Sequence, residues 1–214
     1  MNVEESRARM VEEQLKARGI VEKRLVAAFL KVPRHLFVPA ELQHEAYADR
    51  PLPIGAGQTI SQPFIVALMT SRLHLQGHER VLEIGSGSGY QAAILAELAL
   101  EVFSVERLPE LLIGVAERLR RLGYENVHLT PGNGSLGWPE YAPYDAILVT
   151  AAAPDVPAPL LDQLADPGRM VLPIGGPDAQ MLLAIEKRHN TVHRTPITNC
   201  VFVPLLGQHG WPAF

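Results

Sequence analysis

The sequence predicts an α/β fold with a doubly wound, mostly parallel β-sheet. Segments typical of strands and of helices alternate along the chain from residue 80 onwards. The strand segments are nearly all apolar, as in Ala146-Ile-Leu-Val149, which indicates a parallel sheet buried on both faces beneath helices. A glycine-rich segment, Gly85-Ser-Gly-Ser-Gly89, directly follows the first of these strands, where α/β proteins form a ligand-binding turn.

Three helices are expected before the sheet begins. The segment 6–18 places apolar side chains on one helical face, and the segment 22–31 does the same until Pro33 forbids a continuing helix. Residues 32–39 are too rich in proline for either regular element. Because proline is tolerated at the first helical position, the third helix is expected at 63–72.

The rest of the chain supplies the sheet and its covering helices. Parallel strands are expected at 80–84, 101–105, 127–130, 145–150 and 169–173. Helices are expected between them at 90–98, 109–122 and 158–164. The last forty residues change character, and the segments 181–187 and 192–206 are expected to form antiparallel strands at the edge of the sheet.

The length and composition fit one globular domain. The chain has 214 residues, of which 47% are hydrophobic and 20% charged, and this is the composition of a folded domain with a sizeable core. No repeat, linker or low-complexity tract divides it. We therefore expect a single domain over 1–214, with a helical part at 1–79 that contains a loop at 55–63, and a ligand-binding sheet at 80–214.

Several partners are disfavoured by the sequence. A net charge of −4 argues against a nucleic-acid ligand, because phosphate binding favours a basic surface. The single cysteine, Cys200, offers no metal cluster, and the pairs His74/His78 and His189/His193 lack a third ligand nearby, so no metal is expected. The first nineteen residues are highly charged, and no apolar run approaches the roughly 20 residues of a membrane span. We expect a cytoplasmic monomer without a membrane partner.

The glycine-rich turn has the spacing G-x-G-x-G, with an acid, Glu83, two residues before the first glycine. Dinucleotide-binding turns have the longer spacing G-x-G-x-x-G, in which a helix N-terminus meets a pyrophosphate. Glu106 ends the next strand, where a carboxylate can accept hydrogen bonds from both hydroxyls of a ribose. The pattern favours a ribose-containing ligand. A plain turn and a solvated glutamate at a strand end are the alternatives.

A second polar loop, Gly55-Ala-Gly-Gln-Thr-Ile-Ser-Gln-Pro63, precedes the glycine-rich turn by about twenty residues. Serine before a helix is commonly its N-cap. If Pro63 is the first helical residue, however, the cap position falls on Gln62, and Ser61 lies one residue too early. This spacing weakens the capping role of Ser61 and leaves a functional role open beside it.

The two motifs together are similar to those of the protein-L-isoaspartate O-methyltransferases. The resemblance lies in Pro51-Leu-Pro-Ile-Gly-Ala-Gly-Gln-Thr-Ile-Ser-Gln-Pro63 and in the turn with its preceding acid, and it extends over nearly the whole chain. It implies a Rossmann-like class I methyltransferase with an N-terminal helical extension and antiparallel C-terminal edge strands. The implied donor is S-adenosyl-L-methionine, which leaves as S-adenosyl-L-homocysteine, and the implied acceptors are isoaspartyl-containing proteins and peptides.

The resemblance also implies which residues form the site. The cofactor contacts would be Gln58, Thr59, Glu83, Gly85, Ser86, Gly87, Gly89, Glu106, Arg107, Gly132 and Asn133. The acceptor contacts would be Thr59, Ile60, Ser61, Val203 and Leu205.

Glu83 and Asn133 would contact the two ends of the cofactor. Glu83 is the carboxylate expected near the ammonium group of the cofactor. The family usually has Asp where this chain has Asn133, whose amide can still accept from and donate to an adenine. A plain turn is the alternative here, because Asn-Gly is a strong turn signal.

This reaction needs no strong base. An α-carboxyl group has a pKa near 3.5, so at neutral pH the acceptor is already ionised. Ser61 is then expected to orient the carboxylate through a hydrogen bond, without removing a proton. Two alternatives remain: a methyltransferase of the same fold that acts on RNA or a small metabolite, and a cofactor-binding module that has lost catalysis.

Overall fold

The computed structural model describes residues 2–212, which form a seven-stranded sheet, a separate two-stranded hairpin and surrounding helices. The strands are β1 (Leu52–Gly55), β2 (Gln58–Ile60), β3 (Arg80–Ile84), β4 (Glu101–Glu106), β5 (Val127–Pro131), β6 (Tyr144–Val149), β7 (Leu164–Gly175), β8 (Gln180–Arg188) and β9 (Thr191–Cys200). The α-helices are α1 (Val3–Met10), α2 (Lys23–Lys31), α3 (Pro63–Ser71), α4 (Tyr90–Ala96), α5 (Pro109–Arg121) and α6 (Ala158–Gln163).

The order of the strands in the large sheet is β5-β4-β3-β6-β7-β8-β9. The first five of these strands are parallel to their neighbours, whereas β8 and β9 are added antiparallel at one edge. The chain builds outward from β3 through β4 to β5 and then returns to place β6 on the other side of β3. Because the strand order reverses at this point, a crevice forms at the carboxyl ends of β3 and β6. The predicted doubly wound, mostly parallel sheet is confirmed.

The central strands divide their side chains between two hydrophobic layers. On β3, Val81 joins a cluster that includes Phe29 of α2, whereas Leu82 and Ile84 join the opposite cluster with Leu160 of α6. Neighbouring residues of a strand point to opposite faces, so an entirely apolar strand requires both faces to be covered. This arrangement explains why the strand segments lack the polar alternation of a half-exposed sheet.

The final strand ends earlier than the sequence predicted. A strand was expected over 192–206, but β9 ends at Cys200 because the Gln180 side chain replaces the sheet pairing. Its amide oxygen accepts from the Phe202 N–H at 2.6 Å, and its amide nitrogen donates to the Phe202 carbonyl at 3.0 Å. The chain then crosses to Ala152, which exchanges backbone hydrogen bonds of 2.8 Å with Val203 and Leu205. The hydrogen bonds to Gln180 and Ala152 therefore carry the segment after β9 across the crevice.

Part of the predicted loop at 55–63 is a β-hairpin. Strands β1 and β2 pair around Ala56 and Gly57, whose φ angles are 50° and 69°. Positive φ at both central residues is the geometry of a type I′ turn, whose twist matches that of the flanking strands. The hairpin fixes the direction in which the following residues reach the crevice.

The N-terminal helices lie where they were expected but differ in detail. The segment predicted as one helix at 6–18 is α1, a π-helical turn at Val11–Leu15 and a 3₁₀ turn at Lys16–Arg18. Within 32–39, where no regular element was expected, a 3₁₀ turn forms at Arg34–Phe37. The helix opened by Pro63 is present as α3, with Gln62 at its N-cap position.

Candidate active site

A cavity opens at the carboxyl ends of β3, β4 and β6, beneath the end of the β1–β2 hairpin. Its walls come from the hairpin and the loop after it, α3, the glycine-rich turn after β3, the end of β4, the turn at Gly134, the residues that follow β6, and the segment after β9. Of the predicted site residues, it is lined by Gln58, Thr59, Ile60, Ser61, Gly85, Ser86, Gly87, Glu106, Arg107, Val203 and Leu205. The fold therefore brings together residues that lie more than a hundred positions apart.

The first glycine of the turn is required by Thr150, the residue that directly follows β6. Gly85 has a φ of 96°, and a Cβ atom at this position would overlap the Oγ1 atom of Thr150. That hydroxyl lies 2.9 Å from the carbonyl oxygens of both Ile84 and Gly85. A glycine thus allows the turn to pass close to the end of β6 and leaves its backbone open to the cavity.

Glu106 holds the turn and also faces the cavity. One carboxylate oxygen accepts from the Gly87 N–H at 2.9 Å, and the other accepts from the Leu108 N–H at 2.9 Å. Each carboxylate oxygen can accept more than one hydrogen bond, so lone pairs remain for a ligand. A negatively charged acceptor consequently lies at the end of β4, where the sequence placed a ribose-binding acid.

Glu83 does not line the cavity, contrary to the expectation that it faces a ligand ammonium group. Its carboxyl group is completely buried and accepts from the Ser104 hydroxyl, whose oxygen lies 2.6 Å from the hydroxyl of Ser86. Burial raises the pKa of Glu83 to about 8, against the lowering effect of the Ser104 hydrogen bond. The side chain reaches the cavity wall through Ser104 and Ser86, because Glu83 and Ser104 are register partners on β3 and β4 whose side chains share one face of the sheet.

Gly89, Gly132 and Asn133 also lie off the cavity wall. Gly89 is the N-cap of α4 with a φ of 83°. The Asn133 side-chain oxygen accepts from the backbone N–H and the hydroxyl of Ser135, at 3.1 and 2.8 Å. Asn133 therefore caps a 3₁₀ turn in the manner of an Asx turn, and Gly134 is the residue of this turn that reaches the cavity.

Ser61 lies between two cavities. A second cavity adjoins the first and is lined by the loop after β2, the start of α3 and residues 199–203. The two cavities share Thr59, Ser61, Thr150 and Val203. Gln62 occupies the N-cap position of α3 without a side-chain capping bond, and Ser61 precedes it. The capping alternative for Ser61 is therefore excluded, and its side chain is free for another role.

The position of Ser61 depends on Arg34, which sequence reasoning missed. Arg34 is fully buried, and it donates from Nε to the Ala46 carbonyl and from Nη2 to the Ser61 carbonyl, both at 2.7 Å. Its guanidinium carbon lies 4.9 Å from the ring centroid of Tyr90, the first residue of α4. A single arginine within a proline-rich segment has no periodicity that would reveal such contacts.

Residues 207–211, which belong to a tail for which the sequence suggested no role, pack against the turn at 133–135. The backbone N–H of His209 donates to the Ser135 hydroxyl at 3.0 Å, and the N–H of Trp211 donates to the Leu205 carbonyl at 2.7 Å. A Cβ atom at Gly207 would overlap the side-chain oxygen of Asn133. The segment therefore fixes the wall that contains Val203 and Leu205.

Among residues 2–212, no three metal-ligating side chains lie close enough together to hold a metal ion. The histidines of the two predicted pairs, His74, His78, His189 and His193, are exposed. No helix formed by these residues is long and apolar enough to cross a membrane. Cys200 lies in the wall of the second cavity, and burial raises the pKa of its thiol to about 11.

The strand order, the glycine-rich turn and the acid ending the next strand define a class I methyltransferase fold. A family model for protein-L-isoaspartate(D-aspartate) O-methyltransferase matches residues 5–210. A protein-L-isoaspartate O-methyltransferase of Methanoculleus marisnigri is 55% identical over 205 residues, which cover 96% of this chain and 93% of that protein. The chain therefore belongs to the protein-L-isoaspartate O-methyltransferase family.

Solved structures agree with this assignment. A protein-L-isoaspartate O-methyltransferase matches with a TM-score of 0.85 and 31% identity, over 95% of this chain and 67% of that one. A beta-aspartate methyltransferase from Plasmodium falciparum matches with a TM-score of 0.82 and 27% identity, over 96% of this chain and 99% of that one. The Plasmodium protein was solved in complex with S-adenosyl-L-homocysteine.

The buried Glu83 gives a prediction for the pH dependence of stability. With a raised folded-state pKa, Glu83 contributes stability that is complete below the ordinary pKa of about 4.5 and is lost as the pH rises towards 8. Glu83→Gln keeps a neutral group and abolishes this loss. In urea unfolding, the free energy of unfolding of the variant should therefore rise relative to that of the parent protein as the pH increases from about 5 to 8.5. A difference in the free energy of unfolding that is constant across this range would contradict the buried, proton-holding Glu83.

Proposed function

We propose that the protein transfers a methyl group from S-adenosyl-L-methionine to the α-carboxyl group of L-isoaspartyl residues in damaged proteins and peptides. The observation that carries this function is the position of Ser61 at the junction of two cavities. One cavity has the glycine-rich turn and the strand-end acid of a cofactor site, and the other is lined by the start of α3 and residues 199–203. A donor and an acceptor bound in this way meet beside one hydroxyl group.

The first cavity fits the cofactor by its chemistry. Gly85 and Gly87 leave the backbone open for close approach, and Glu106 offers carboxylate oxygens to the ribose hydroxyls. The cofactor contacts proposed on this geometry are Gln58, Thr59, Gly85, Ser86, Gly87, Glu106, Arg107 and Gly134. Glu83 supports Ser86 from behind, and Gly89, Gly132 and Asn133 shape the surrounding turns. When bound, the cofactor supplies the methyl group on a positively charged sulfonium.

Orientation accounts for the role of the acceptor loop. The acceptor carboxylate is ionised at neutral pH, since an α-carboxyl group has a pKa near 3.5. Ser61 donates a hydrogen bond to one of its oxygens and leaves the other directed towards the donor. Thr59, Ile60, Val203 and Leu205 surround the junction and exclude water. Holding the reacting groups in line in a dry site can lower the barrier by several kcal/mol, so no general base is needed.

We propose in addition that the protein acts in the cytoplasm as a monomer, without membrane or nucleic-acid partners. A net charge of −4 disfavours RNA, and the most exposed large apolar side chains of the described residues, Ile113 on α5 and Val201 after β9, lie on separate parts of the chain. The proposal of a single domain over 1–214 is supported by one hydrophobic cluster, which contains both Phe29 of the N-terminal helices and Val81 of the sheet.

The substrate assignment is tested with a matched pair of peptides. We expect the protein to transfer labelled methyl groups from S-adenosyl-L-methionine to a peptide with an isoaspartyl residue and to ignore the same peptide with a normal aspartyl residue. In the isoaspartyl peptide the chain continues through the β-carboxyl group and the α-carboxyl group is free, whereas in the aspartyl peptide the β-carboxyl group is free. Equal labelling of both peptides, or of neither, would exclude the proposed function.

The cofactor site is tested by Glu106→Ala. Loss of the ribose hydrogen bonds should weaken the binding of S-adenosyl-L-homocysteine by about 1–3 kcal/mol, measured by calorimetry. Glu101→Ala serves as the control, because Glu101 lies at the opposite end of β4. An affinity that is equally unchanged in both variants would remove Glu106 from the cofactor site.

The orientation role is tested by Ser61→Ala. Turnover on an isoaspartyl peptide should fall by an amount equivalent to about 1–3 kcal/mol in the barrier, while the affinity for S-adenosyl-L-homocysteine is retained. Turnover of the parent protein should be constant from about pH 6 to 8, because the methyl transfer involves no proton transfer by a protein side chain. Ser71→Ala, on the last turn of α3, is the control. A steep pH dependence that disappears in Ser61→Ala would show that Ser61 transfers a proton.

A further inference from the structure

We propose that Arg34 is the positioning residue of this site: it fixes Ser61 at the junction of the two cavities and ties it to Tyr90 in the wall of the first. This inference rests on the proposed function. It concerns a residue that contacts neither cavity but connects two elements that line them.

The geometry of the guanidinium group carries the inference. Arg34 donates to the carbonyl of Ala46, twelve positions away, and to the carbonyl of Ser61, twenty-seven positions away, both at 2.7 Å. A planar guanidinium can hold two carbonyls in fixed directions at once, whereas a lysine ammonium acts as a single point. The Ser61 backbone is therefore held from behind while its side chain remains at the cavity.

The aromatic contact extends this support to the cofactor side. The guanidinium lies over the ring of Tyr90, which begins α4 directly after the glycine-rich turn and lines the first cavity. Phe37 packs edge-on against the same ring, with centroids 5.4 Å apart. A displacement of Arg34 would consequently move the acceptor loop and the cofactor wall relative to each other.

Stability alone does not explain an arginine at this position. Arg34 is fully buried, and among residues 2–212 no carboxylate lies within ion-pair distance of it. Burial lowers its pKa to about 10, so it remains charged at neutral pH. A buried charge without a counter-ion costs stability, and an apolar side chain of similar volume would fill the space at lower cost. The directed hydrogen bonds are what an apolar residue could not supply.

The test compares Arg34 with Arg24, a second guanidinium that bridges two carbonyls. Arg24 donates to Leu75 and Leu98 at 3.0 Å each and lines neither cavity. Arg34→Met, Arg34→Lys and Arg24→Met are each made alone and combined with Ser61→Ala. For each variant, kcat and KM are measured on an isoaspartyl peptide, and affinity for S-adenosyl-L-homocysteine is measured by calorimetry.

We expect Arg34→Met to lower kcat roughly 10- to 100-fold, with a much smaller change in cofactor affinity. Arg34→Lys should retain an intermediate kcat. Adding Ser61→Ala to Arg34→Met should cause little further loss, because the hydroxyl is already misplaced, whereas the effects of Ser61→Ala and Arg24→Met should multiply. The proposal is overturned if the kcat losses of Ser61→Ala and Arg34→Met multiply as those of Ser61→Ala and Arg24→Met do. It is also overturned if Arg34→Met has the kcat and KM of the parent protein. If Arg34→Met does not fold, the same comparison is made with Arg34→Lys, alone and combined with Ser61→Ala.

Hydrogen exchange separates this inference from the proposed function. The backbone amides of residues 58–61 should exchange faster in the Arg34 variants and at the parent rate in Arg24→Met, with no substrate present. Unchanged exchange at 58–61 in the Arg34 variants would overturn the positioning role. A parent protein that does not methylate the isoaspartyl peptide would instead overturn the proposed function, and the exchange result would still decide whether Arg34 holds the loop.

Discussion

The change of side at β3 constrains the whole site: the chain adds β4 and β5 on one side of β3 and then β6 on the other. Parallel neighbours end at the same edge of a sheet, and connections that leave in opposite directions necessarily leave a crevice between them. Here the crevice is narrow enough that Gly85 must be a glycine, because the Thr150 hydroxyl occupies the space of a side chain. Both cavities use Thr150, so the same strand end serves the donor side and the acceptor side.

Buried polar side chains hold the segments that surround this crevice. Gln180 binds the backbone of Phe202 where β9 ends, and Gln163 binds the Leu136 carbonyl and the Trp138 N–H at 2.7 and 2.8 Å. Arg34 does the same for Ser61. Each of these groups fixes irregular backbone that no sheet or helix could hold. A reaction that depends on orientation requires such rigid walls more than it requires reactive side chains.

The sequence predicted what periodicity and local motifs encode. The apolar strands, the turn glycines and Glu106 were located because each depends on neighbouring residues or on regular spacing. The β1–β2 hairpin was missed because its strands are short and lack alternation, and the inward orientation of Glu83 was missed because a motif does not show which face a strand side chain takes. Arg34 was missed for a different reason: its partners, Ala46 and Ser61, are distant in sequence, and only the folded chain brings them together.

The meeting of donor and acceptor at Ser61 is tested most directly by a crystal structure of the protein with S-adenosyl-L-homocysteine and an isoaspartyl peptide. We expect the adenosyl group beside Glu106 in the first cavity and the peptide in the second. One oxygen of the isoaspartyl α-carboxylate should lie within hydrogen-bond distance, about 2.6–3.0 Å, of the Ser61 Oγ atom. A peptide bound elsewhere, or a carboxylate turned away from Ser61, would contradict this arrangement.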